Sequence, residues 1–257
     1  PNREVKPTRA DGTAVTRGRV GRCQILKKAC RRLQAFLVYN LFVFPLLSLV
    51  GHIIPKLDSG YSSNMYNLLR ENIEKHIHLT DEEFAQFSAP FYLQKVQKKQ
   101  MLLREGEICK FEGFVNKGCL RVYYLDEMGF EKVLYFAVEG WWITDIDSFT
   151  NQAPSILNIE ALEDSEVLMI TYPYKTILYD TLPKVEKLFR IMTQKTHAAL
   201  QRRMISSLSK TADKRYIEFV TKYPQLEQRL SQQQVAAYLG ISHEFLSKIR
   251  KKVAKLR

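Results

Sequence analysis

The sequence is poor in the residues from which catalytic and metal centres are built. It has four cysteines in 257 residues, Cys23, Cys30, Cys109 and Cys119, and they fit no zinc spacing such as paired Cys-x2-Cys. None of its five histidines, His52, His76, His78, His197 and His243, falls in the β-prone middle of the chain. A metal-dependent barrel enzyme needs several imidazoles facing inward, so this scarcity counts against that class. No Gly-x-Ser-x-Gly, His-Glu-x-x-His or Walker-type loop occurs anywhere. No catalytic residue, metal ligand or cofactor is therefore assigned. With 11 glycines and 9 prolines the chain is not collagen-like, and at 46% hydrophobic and 26% charged it is not disordered throughout.

What is abundant is positive charge: 39 Lys and Arg against 27 Asp and Glu, a net of +12. Such an excess points to a polyanionic partner, nucleic acid or an anionic membrane face. The charge is unevenly placed. Residues 1–64 carry +8, residues 65–225 carry −1 and residues 226–257 carry +5. The two ends need separate explanations.

Residues 1–22 are polar, Arg-rich and aperiodic, as in a disordered tail. A basic stretch then precedes an apolar run over 35–54, about long enough to cross a bilayer but interrupted by Asn40, Pro45, Ser48, Gly51 and His52. That layout is a signal anchor's, and by the positive-inside rule it would export everything after it. Since the first methionine is Met65, the preferred expectation is that residues 1–64 are a mis-extended start. A single-pass membrane anchor through 35–54 is the alternative, and only then is a membrane a partner.

From Met65 helical spacing at Leu68, Leu69, Ile73 and Ile77 leads to Thr80-Asp-Glu-Glu83, a capping box that starts a second short helix. Between about Tyr92 and Thr171 short β-prone runs alternate with turn signals: 100–103, 119–125, 132–137, 158–162 and 166–171. This spacing predicts an antiparallel jelly-roll barrel within an α+β chain. After Pro183 a long helix is expected to about Leu208, with an apolar stripe at Val185, Leu188, Phe189, Met192, Ala199 and Leu200. The stripe suits a core face or a dimer seam equally. Another amphipathic helix, Thr211 to Tyr223, is stopped by Pro224.

The segment from Leu230 to Val253 carries the most specific signal. Ser231 and Gln234 form a capping box for a helix through Leu239, and Gly240 suits the left-handed turn that ends it. Ser242 caps a second helix, with Phe245, Leu246, Ile249 and Val253 expected inward. Two short helices on a Gly-centred turn make a helix-turn-helix, whose second helix enters the major groove of double-stranded DNA. His243, Glu244, Ser247 and Lys248 are the expected base readers. Ser231 is assigned to phosphates with Arg250, Lys251, Lys252, Lys255 and Arg257, contacts that add affinity and salt dependence more than specificity.

A barrel, a long helix and a terminal helix-turn-helix, in this order, resemble the CRP/FNR family of bacterial transcription regulators. The resemblance runs from about Thr80 to Val253. It includes the turns Leu103-Arg-Glu-Gly106, Val115-Asn-Lys-Gly118, Asp126-Glu-Met-Gly129 and Glu139-Gly-Trp-Trp142, and Glu244-Phe-Leu-Ser247-Lys248 is similar to the Glu-x-x-Ser-Arg motif of the FNR branch. The tryptophan pair and the short tail resemble Bacteroidetes-like members most. The resemblance implies a homodimer joined through Val185, Leu188, Met192 and Ala199, a two-fold-symmetric operator, RNA polymerase as a possible partner and a cytoplasmic location. The implied divisions are 65–172 for the effector barrel, 183–209 for the dimer helix and 210–257 for the DNA-binding module.

The departures from the family are equally informative. Aligned from Gly140, the cyclic-phosphate cassette reads Thr144-Asp145-Ile146 and then Ser155-Ile156-Leu157, with Ser155 where family members that bind cyclic AMP have arginine. An Asp without a cation repels a phosphate, so tight cyclic AMP binding is not expected and the effector is unknown. The degenerate pocket is expected to be lined by Trp141, Trp142, Thr144, Asp145, Ile146, Ser155 and Ile156. Cys109 and Cys119 are expected to be buried structural thiols. The rival readings are a membrane-anchored sensory module acting through a protein partner, and a barrel enzyme with an unrecognised site.

Overall fold

The computed structural model describes residues 63–254. The N-terminal tail, the apolar run 35–54, Cys23, Cys30, His52, Lys255 and Arg257 lie outside the described residues. Two short helices, α1 (Asn67–Glu74) and α2 (Asp81–Ser88), come first. The expected capping box opens α2: the Glu83 N–H donates to Thr80 Oγ1 at 3.2 Å, and the Thr80 N–H to the Glu83 carboxylate at 2.8 Å.

Eight strands then build two four-stranded antiparallel sheets. The strands are β1 (Tyr92–Val96), β2 (Met101–Leu103), β3 (Phe111–Lys117), β4 (Leu120–Leu125), β5 (Glu131–Ala137), β6 (Trp142–Ile143), β7 (Asn158–Ala161) and β8 (Ser165–Thr171). One sheet runs β1-β8-β3-β6 and the other β2-β7-β4-β5. Their facing sides hold a dry core of Val115, Leu120, Val122, Ile143, Phe149, Ile159 and Val167, all essentially unexposed. Val115-Asn-Lys-Gly118 is less of a turn than its composition suggests, because β3 runs through Lys117 before Gly118 (φ +104°) reverses the chain. A Cβ there would lie 2.1 Å from the Ser165 hydroxyl, so only glycine fits.

Three helices were not anticipated. The first, α3 (Ile146–Asn151), interrupts the sheets after β6. The second, α4 (Tyr172–Thr181), follows β8 directly and carries Pro173 in its first turn, where proline is well tolerated. The third, α7 (Pro224–Arg229), starts on the proline expected to stop its predecessor, α6 (Ala212–Lys222), for the same reason.

Between α4 and α6 runs α5 (Pro183–Ser209), 27 residues and about 40 Å long. Its first turns pack in the chain's own core, where Val185 and Leu188 are completely buried with Phe87, Phe114 and Leu168. Those two residues therefore cannot face a second copy, which corrects their assignment to a dimer seam; Met192 packs at the edge of the same core. Beyond it Ala199, Leu200, Met204 (65%), Ile205 and Leu208 (79%) are exposed. The last helices are α8 (Gln232–Leu239) and α9 (His243–Ala254).

The described residues form one contact unit. The β4–β5 hairpin shares a core with the C-terminal helices: Cys119, Tyr123, Val133 and Phe136 pack with Tyr216, Phe219, Leu239 and Leu246. No helix among the described residues is long and apolar enough to cross a membrane.

Candidate nucleic-acid interface

The helix-turn-helix is fixed by local chemistry at each end. The Gln234 N–H donates to Ser231 Oγ at 3.2 Å and the Ser231 N–H to Gln234 Oε1 at 2.8 Å, which satisfies two donors at the start of α8. Gly240 ends the helix at φ +67°, in the left-handed region, and the following Ile241 N–H donates to the Ala236 carbonyl at 3.1 Å. Arg215 of α6 donates to the Leu239 carbonyl at 2.9 Å, placing a cation at the negative end of α8. The Phe245 N–H then donates to Ser242 Oγ at 3.2 Å and starts α9.

The expected base readers come together on one side of α9. His243, Glu244 and Lys248 are exposed and Ser247 is half-buried. The Glu244 carboxyl is held below the usual carboxylate range, first by its own backbone N–H, then by the Ser242 hydroxyl and the nearby His243 and Lys248. It is therefore ionised at neutral pH and can only accept hydrogen bonds, as a reader of cytosine N4 must. Leu246 and Ile249 are buried and Val253 is half-buried, as expected, but Phe245 is not: it stands 46% exposed. It lies about 100° around the helix from both Glu244 and Leu246, so it flanks the reading face rather than filling the core.

The expected phosphate contacts divide. Ser231 and Lys251 are exposed. Lys252 pairs with Asp213 of α6 at 2.5 Å, and Arg250 lies 3.6 Å from Glu227 of α7. Exposed pairs of this kind are weak enough to exchange for a phosphate.

The structure does not bring the expected effector pocket together. Trp141 and Trp142 are neighbours on an extended segment and point to opposite sides. Trp142 enters an aromatic cluster with Phe91, Phe114 and Phe189, and its indole N–H donates to Asn72 at 3.3 Å. Trp141 packs edge-on against Tyr223 at the end of α6, 5.7 Å between centroids. Ile146 and Ile156 are exposed. Thr144 is turned inward, donating to the Phe111 carbonyl at 2.9 Å.

Asp145 and Ser155, in contrast, do meet. The buried Asp145 carboxylate accepts from the Ser155 hydroxyl at 2.6 Å and from the Asp147 and Ser148 N–H groups at 3.1 and 3.3 Å. The start of α3, the natural seat of an anion, is thus occupied by the chain's own carboxylate. An open depression of about 470 Å³ is lined by Tyr124 to Met128 of the β4–β5 turn.

Sequence reasoning missed the joint between barrel and helices. Arg229, at the end of α7, donates to Glu139 at 2.8 and 3.0 Å and also reaches Glu163, both on barrel turns. Burial alone would raise the Glu139 carboxyl, but Arg229 and the Gly118 N–H hold it below the ordinary range. Arg203 of α5 donates to the Val133 and Tyr238 carbonyls at 2.9 Å and lies over the Tyr238 ring at 4.1 Å. One guanidinium thereby joins the long helix, the β4–β5 hairpin and α8. Cys109 and Cys119 are buried free thiols, and burial pushes the Cys119 thiol to about 12.

Residues 93–174 match the family model of the cyclic nucleotide-binding domain. FixK2 from Bradyrhizobium japonicum is similar in structure, with a TM-score of 0.58 at 18% identity over 65% of this chain and 85% of FixK2. The c-di-GMP responsive global regulator CLP of Xanthomonas campestris gives 0.58 at 17% identity over 68% and 92%. A crp/fnr-family protein from Eubacterium rectale gives 0.54 at 19% identity over 68% and 83%. No curated protein matches the chain.

Proposed function

We propose that this chain, a cyclic nucleotide-binding domain joined to a helix-turn-helix in the CRP/FNR architecture, is a homodimeric DNA-binding transcription regulator of the cytoplasm. The observation that supports this most is the capped, glycine-turned pair α8–α9, with Glu244, Ser247 and Lys248 on its outer side. Glu244 accepts from a cytosine N4 amine and Lys248 donates to guanine O6 or N7. Ser231 and Lys251 contact phosphates, joined by Arg250 and Lys252 when these leave Glu227 and Asp213. The second copy packs on Leu200, Met204 and Leu208, and the two recognition helices read a two-fold-symmetric site. RNA polymerase is then the machinery on which the bound dimer acts.

The barrel does not take a cyclic phosphate in the family's manner. Such an anion would have to displace the Asp145 carboxylate from the α3 amides, and Ser155 offers no cation in exchange. The role is binding rather than catalysis.

A salt-dependent gel shift of the purified chain on genomic fragments tests the reading. Specific binding is expected, weakening steeply with salt and lost in Lys248→Ala and Glu244→Ala. An absence of sequence preference at every salt concentration would refute it. Calorimetry with cyclic AMP is expected to show no tight binding.

A further inference from the structure

The fold does not need Phe245 as a core residue. Leu246 and Ile249 fill the inner side of α9, with Val253 half-buried behind them, while Phe245 stays 46% exposed. Its backbone is nonetheless fixed, because its N–H is the donor that Ser242 Oγ caps. The side chain therefore leaves the first helical turn, the part of a recognition helix that reaches base edges. It stands beside the ionised Glu244 and one turn before Lys248, on the same flank of α9 as Lys252. An aromatic ring among charges can make only one kind of base-specific contact in a major groove, apolar contact with the C5 methyl of thymine.

We propose that Phe245 is a specificity-determining residue that reads a thymine methyl next to the base pair held by Glu244. This rests on the operator-binding reading and adds a base to it. Glu244 selects cytosine by its amine, and Phe245 selects thymine over cytosine or uracil by one methyl group. The two adjacent side chains thus discriminate two base pairs by different chemistry. The basic residues of the same helix supply the charge complementarity that brings the ring to DNA rather than to another protein.

The test uses the full chain and an operator selected from random DNA. Each thymine of the operator is replaced in turn by deoxyuridine, which removes only the methyl, and affinity is measured by fluorescence anisotropy. The wild-type chain is expected to lose roughly fourfold per half-site at one thymine position, the discrimination that one buried methyl supplies. Phe245→Ala is expected to bind the unmodified operator more weakly by a similar factor and to be indifferent to deoxyuridine at that position. Phe245→Leu, which keeps an apolar side chain, is expected to retain part of the discrimination. Indifference of the wild-type chain to deoxyuridine at every thymine would overturn the assignment, and so would undiminished sensitivity in Phe245→Ala. Failure to select any operator would instead overturn the DNA-binding reading, and this assignment with it.

Discussion

Lys175→Met is expected to be among the most damaging single substitutions outside the strands. Lys175 on α4 pairs with Glu112 on β3, with side chains only 9% and 8% exposed. The ammonium also lies 3.9 Å from the Phe189 ring centroid on α5 and 5.5 Å from that of Phe149 on α3. Methionine keeps the stem but strands the Glu112 carboxylate without a counter-charge, which typically costs about 3–5 kcal/mol. With the lost ring contacts the expected penalty is about 4 kcal/mol, or a fall in Tm of roughly 10 °C for a chain of this size. Urea denaturation of both proteins measures this. The double substitution Glu112→Gln, Lys175→Met removes both charges and should recover most of the loss. A penalty under about 1 kcal/mol would show that the pair is not desolvated as its burial requires. No recovery in the double substitution would show that the stranded carboxylate is not its source.

Four further outcomes test the joint and the long helix. Arg229→Met should loosen the barrel from α7 at a cost of about 1 kcal/mol, screened because its partners are partly exposed, and hydrogen exchange across α7 and α8 would report it. Glu139 is held below its unfolded value, so its contribution is present above that value and fades as pH falls through the folded one. Wild-type protection in α7 should therefore decline in acid, whereas in Glu139→Gln it should not. Along α5, Met204→Glu with Leu208→Glu should convert dimers to monomers in sedimentation without lowering Tm. Val185→Ala should do the reverse, costing about 2 kcal/mol of folding stability with association unchanged.

The parts of the fold that were legible are those fixed by contacts within a few residues. The Thr80–Glu83 and Ser231–Gln234 capping boxes and the Gly240 turn each need only their own side chains and backbone, so spacing alone reveals them. Strands β2, β4, β5, β7 and β8 were legible because turn residues bound short β-prone runs. An apolar stripe, by contrast, shows which side of a helix is dry and not what covers it. Val185 and Leu188 are buried with α1, α2 and the Phe114 and Leu168 side of one sheet, and the more distal Leu200, Met204, Ile205 and Leu208 remain open. The opposition of Trp141 and Trp142 was available in the two-residue period of an extended chain, and that signal would have prevented their assignment to one pocket. The Arg229 and Arg203 contacts span 35 to 90 residues of sequence, and no local pattern encodes them.

The two tryptophans also tie the barrel to the helices that follow it. Trp142 is locked between Phe114 of β3 and Phe189 of α5, and Trp141 touches Tyr223, the residue that ends α6. The segment joining β5 to the cassette therefore contacts both the long helix and the C-terminal helices through adjacent residues. Asp145, three residues after Trp142, anchors the other end of this segment through hydrogen bonds to its own helix and to Ser155. The backbone of Trp141 and Trp142 is paired to β3 at Val115 and Phe114, so the segment is held in its middle by the sheet and at its far end by Asp145. Packed aromatic contacts resist continuous deformation, so these attachments fix the segment against α5 and α6 together.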